Sequence, residues 1–165
     1  MTVEMPEGWS DFFVATAGAA GALAGLIIVA MTVNITTIIG IPSMTSRAAA
    51  TIAALVLIVV SAAAGLIPGQ GPRPLGGEVL VFAAVAMALT IDSAVRMVRA
   101  IDRQYLTVTW VKIVVALVQI LPFLVGAAIL LTGSYSGLNW IAAGVLLVFV
   151  GSVTNAWVLL VEILR

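Results

Sequence analysis

Two residues of opposite charge stand four apart in an otherwise apolar run: Asp92 and Arg96, in "ALTIDSAVRMVRAIDR". On a helix that spacing brings the side chains together. At the edge of a membrane the pair has two uses. It neutralises two charges at the interface, or it serves as a gate or proton-coupled site. Gln119 is the next candidate, three residues before Pro122 in "LVQILPF". Proline frees a carbonyl one turn back and often kinks the helix. The Gln119 amide can satisfy that carbonyl, bridge to a neighbouring helix, or line a pore. Asn155, with Ser152 and Thr154 beside it, has the same choices. Asp92, Arg96, Gln119 and Asn155 are therefore the candidate intramembrane polar residues.

Other chemistries lack their residues. The chain has no His and no Cys. That removes the commonest general base, the usual haem and zinc ligands, and every disulfide or thiolate site. No G-x-S-x-G elbow and no G-x-x-x-x-G-K-[ST] loop occurs, so neither a serine nucleophile of that kind nor a phosphate cradle is expected. The sequence predicts no enzyme, no cofactor and no metal site. A formal net charge of zero leaves nothing to attract nucleic acid.

The elements that must position these side chains are apolar. Of 165 residues 63% are hydrophobic and 8% are charged, where a soluble domain carries about 25% charged residues. So few charges cannot cover a soluble exterior, whereas lipid needs no such cover. Five apolar runs are long enough to cross a bilayer, at about 12–39, 48–67, 78–100, 109–131 and 140–164. The stretch "PGQGPRPLGG" between the second and third is expected to be a loop. The N-terminal "MTVEMPEGWSDFF" has acids and no Lys or Arg, unlike a signal peptide, so the first run is expected to stay as a membrane helix. The fold class is all-α: one domain over 1–165, an integral membrane bundle of five transmembrane helices.

The basic residues assign the sides. With the region from Asp92 to Lys112 inside, Arg47, Arg96, Arg99, Arg103, Lys112 and Arg165 face the cytoplasm, and only Arg73 lies outside. The positive-inside rule then puts the N-terminus outside and the C-terminus inside. Trp9 and Trp140 fall at outer ends and Trp110 near an inner end, as interfacial anchors do. Asp92, Arg96, Arg99 and Arg103 share one helical face, with Ile91, Val95, Val98 and Ile101 toward the other. The third helix is thus expected to continue into the cytoplasm as a basic, amphipathic stalk. Arg96, Arg99, Arg103 and Lys112 are candidates for contact with anionic lipid headgroups at that face.

The first run also carries a stripe of small residues. Ala17, Gly21 and Gly25 form one ridge, with Gly18 and Ala22 beside it. In lipid, apolar side chains gain little by leaving the tails, so helices associate where small residues let backbones approach. The partner is either another helix of the same chain or a second subunit. "SAAAG" from Ser61 to Gly65, and Gly144 with Gly151, repeat the habit. Five short spans with such faces suggest a homo-oligomer.

The stretches "WSDFFVATAGAAGALAGLIIVAMTVNI" and "RAAATIAALVLIVVSAAAGLIPGQ" resemble small multi-pass membrane proteins common in actinobacteria. Some of those carry a label as modulators of a membrane-bound protease. The resemblance implies a bacterial plasma (inner) membrane and assigns no residue a role. The expectation is a non-enzymatic oligomeric membrane scaffold or regulator. The alternatives are a channel or passive transporter formed by a homo-oligomeric ring, and an assembly factor for a larger membrane complex.

Overall fold

The computed structural model describes residues 5–33, 35, 42–99 and 106–163. Five helices account for nearly all of them: α1 (Trp9–Val33), α2 (Pro42–Gly65), α3 (Pro72–Arg99), α4 (Leu106–Leu131) and α5 (Gly137–Ile163). Among the described residues there is no strand. The helices are 24 to 28 residues long, and each contains a stretch apolar enough to cross a membrane. At about 1.5 Å per residue even the shortest exceeds a ~30 Å hydrocarbon core. In lipid every backbone N–H and C=O must find its partner within the protein, which helices achieve along their own length.

Sequence punctuation accounts for the ends. Pro42 and Pro72 begin α2 and α3, where a missing N–H costs nothing. Asp11 lies in the first turn of α1, and Arg96 and Arg99 in the last turn of α3; each sits where the helix dipole favours its charge. After α4 the chain turns at Gly133, whose N–H bonds the Leu130 carbonyl at 2.8 Å. Its φ of +97° is a conformation that side chains with a Cβ rarely adopt.

Each helix packs on the next, and α5 folds back to touch α2 and α1. The short connections make sequential neighbours antiparallel. α2 is the most enclosed helix and α1 the least: 56% of the apolar stretch of α2 is buried, against 22% for α1. The core holds Phe13, Leu55, Ile58, Val79, Phe123 and Val148. The outside is just as apolar, with Leu26, Val33, Val81, Leu146 and Val150 all well exposed. Among the described residues the buried polar ones are all Ser and Thr: Thr16, Thr51, Ser61, Thr90, Ser93 and Ser152. A soluble domain would show the reverse pattern.

Two sequence expectations change. The third helix begins at Pro72, not near 78, so most of "PRPLGG" is its first turns. Prolines are tolerated there because the first N–H groups have no helical acceptor. Gly76 then lets α3 press onto α4, where a Cβ would lie 2.8 Å from that of Leu130 and 2.9 Å from the Ala127 carbonyl. The inward face of the far end of α3 also differs. Thr90, Ser93 and Met97 are buried, while Ile91 and Val95 are exposed together with Asp92, Arg96 and Arg99. Thr90 can turn its hydroxyl inward because the Ala86 carbonyl of its own helix accepts from it, whereas Ile and Val meet lipid without penalty.

Candidate functional site

Within the chain, the close helix contacts at small residues lie away from the stripe on α1. Gly126 and Gly137 face each other across α4 and α5, and a Cβ at Gly126 would lie 2.6 Å from the Gly137 carbonyl oxygen. Gly144 lies against the Phe123 ring, Gly65 against the Phe13 ring, and Gly151 against the Gln119 amide. On α1 the inward residues are Phe13, Thr16, Ala20 and Ile27. Ala17 is half-buried, and Gly18, Gly21, Ala22 and Gly25 are exposed. Among the described residues nothing comes within 4 Å of a Cβ at Gly18, Gly21 or Gly25.

The four candidate polar residues separate into two pairs. Arg96 Nε donates to Asp92 Oδ2 at 2.7 Å on the outer surface of α3, with both side chains more than half exposed. Arg99 is exposed nearby. Arg103 lies outside the described residues, as does the side chain of Lys112.

Gln119 and Asn155, both half-buried, come to one recess between helices. They line a cavity of about 70 Å³ bounded by α2, α3, α4 and α5. Its polar lining is completed by Thr51, Thr90, Ser93 and Ser152; Met97, Ile113, Ile120 and several alanines supply the rest. Asn155 Nδ2 donates to Thr51 Oγ1 at 3.3 Å, joining α5 to α2. Thr90 donates to the Ala86 carbonyl at 2.8 Å within its own helix. Gln119 fits because Gly151 opposite it has no side chain. Among the described residues no charged side chain lines the cavity. It lies toward the end of the bundle formed by the start of α2 and the end of α3. The other half of the interior is filled by Leu55, Ile58, Val79, Phe123 and Val145.

The spacing of Thr90, Ser93 and Met97 and of Ser152 and Asn155 puts each set on one helical face. That is the signal by which the rest of the lining could have been read. A second polar node was missed altogether. Gln70 Nε2 donates to Glu78 Oε2 at 2.8 Å, and the Tyr135 hydroxyl donates to the Gln70 carbonyl at 3.1 Å. It ties the α2–α3 connection to the α4–α5 turn at the end away from the cavity. Gln70 Oε1 and Ser61 Oγ are buried without a hydrogen-bond partner among the described residues. Between α2 and α3 runs a wholly apolar surface recess lined by Ala49, Ile52, Phe82 and Leu89 among others, as lipid-facing surfaces do. Among the described residues no group of three or more acidic side chains could hold a metal ion.

No family model, no curated protein and no solved structure matches this chain; its function is therefore read from its own side chains.

Proposed function

We propose that this chain is a non-enzymatic scaffold or regulator of the bacterial plasma membrane that works as a homo-oligomer. Its N-terminus faces outward, its C-terminus faces the cytoplasm, and α3 carries its basic end into the cytoplasmic headgroup layer. The observation that carries the proposal is the bare face of α1. Gly18, Gly21 and Gly25 lie on the least enclosed helix, and among the described residues nothing is within 4 Å of their Cβ positions. Such a face gains by close backbone contact with another helix and gains nothing over lipid without one. A second copy brings an identical face, and two such faces meet about a twofold axis. Arg96 and Arg99 at the exposed end of α3 add attraction for anionic lipids.

Conduction through a ring of protomers has less support. Gln119 and Asn155 face the inside of one protomer, so a passage between protomers would be lined by residues such as Leu146 and Val150. Gly21→Leu and Gly25→Leu test the assembly. Among the described residues nothing lies within 4 Å of a Cβ at either position, so the protomer keeps its helical content and loses no thermal stability. Native mass spectrometry from nanodiscs should show the parent as an oligomer and both variants shifted toward monomer. A monomeric parent, or variants that assemble as the parent does, would refute the proposal.

A further inference from the structure

The cavity among α2, α3, α4 and α5 goes unused by a scaffold that assembles through α1, yet it is built unlike the rest of the interior. Six of its lining residues carry hydroxyl or carboxamide groups. Among the described residues, the side chains of Gln119, Ser93 and Ser152 make no hydrogen bond. Asn155 commits one of its amide hydrogens to Thr51 and keeps its carbonyl oxygen and a second hydrogen. Polar groups held within a membrane bundle are costly unless they are partnered, so this lining is complementary to a hydrogen-bonding guest.

The guest's chemistry follows from what the walls offer. Among the described residues no Asp, Glu, Lys or Arg lines the space, and an unpaired ion in such a site is expensive. The guest is therefore neutral. At about 30 Å³ per water, 70 Å³ has room for about two waters or one molecule of about four heavy atoms. Gln119 and Asn155 each present a donor and an acceptor in one plane. A planar amide returns the same pair in reverse, making two hydrogen bonds to one carboxamide. Ala54, Ala94, Ala116 and Ile113 leave an apolar side against which a methyl group fits. We propose that this cavity is a binding site for a small uncharged amide or urea-like molecule.

The test uses full-length protein in lipid nanodiscs, with protein-free nanodiscs as the blank. Saturation-transfer NMR compares acetamide, acetone and acetate, which share a methyl group and differ in donors and charge. Acetamide should be saturated and be competed away by urea; acetone should respond weakly and acetate not at all. Affinity in the millimolar range suits so few atoms. Gln119→Met keeps the shape that lies on Gly151 and should weaken acetamide about thirtyfold, the effect of losing two neutral hydrogen bonds. Ala116→Leu fills the cavity and should abolish the signal with the melting temperature retained. Should either lose its helical circular dichroism, Ser152→Ala replaces it, with weaker acetamide binding expected. A silent parent, equal response to the three probes, or undiminished binding in the folded variants would overturn the proposal. Gly21→Leu should bind acetamide as the parent does, because the site lies within one protomer, so failure of assembly and failure of binding are read apart.

Discussion

Gly126→Ala and Gly21→Ala should move stability in opposite directions, though both exchange glycine for alanine in the middle of a membrane helix. At Gly126 the new Cβ would stand 2.6 Å from the Gly137 carbonyl oxygen, 2.8 Å from Ile141 Cγ1 and 3.2 Å from the Ile141 backbone nitrogen. Two of those atoms are backbone and cannot swing aside. α4 and α5 must separate, and with them the packing of Leu130, Leu138 and Ile141, all about fully buried. Overpacking of this kind costs about 3 kcal/mol at the upper end of its range, and alanine returns about 1 kcal/mol of helix propensity. The net loss is about 2 kcal/mol. At Gly21 no described residue of the protomer lies within 4 Å of a Cβ, so for the fold of the single protomer in detergent the propensity gain of about 1 kcal/mol stands alone. The difference of about 3 kcal/mol is more than about a hundredfold in the folded-to-unfolded ratio. Unfolding in mixed micelles of increasing sodium dodecyl sulfate, followed by circular dichroism, measures both variants against the parent. If Gly126→Ala is as stable as Gly21→Ala, the close crossing of α4 and α5 is not what holds this hairpin.

Two further outcomes are expected. Tyr135→Phe removes the hydrogen bond to the Gln70 carbonyl at the α2–α3 connection and should cost about 1 kcal/mol in the same assay; an unchanged midpoint would mean that the node contributes nothing. The chain has no cysteine, so single cysteines report sidedness directly. Arg73→Cys should react with an impermeant maleimide on intact cells and Arg99→Cys only after permeabilisation, and the opposite result would invert the orientation.

The five helices were legible because apolar length is a strong signal. Their order of packing was not, because in lipid the inner and outer faces are equally apolar. The stripe at Gly18, Gly21 and Gly25 shows the difficulty: small residues announce close approach without saying to what. Within the chain that approach falls at Gly76, Gly126, Gly137 and Gly144 instead. "PRPLGG" looked like a loop because Pro and Gly usually interrupt helices, whereas here the prolines occupy the one turn that can spare their N–H groups. Gln119 and Asn155 could be singled out as polar groups in apolar runs. That they share one cavity depends on α4 and α5 being neighbours and on α5 folding back onto α2, which no local spacing encodes. Asp92 and Arg96 were readable as a pair at four residues' separation, and they are one, on the surface.

The seat of Gln119 on Gly151 binds the histories of two positions thirty-two residues apart. A mutation that gives residue 151 a side chain displaces the amide, so it is tolerated only where residue 119 has already become smaller. Relatives of this protein, when gathered, should change the two together, and that paired substitution would be an inherited record of the α4–α5 contact.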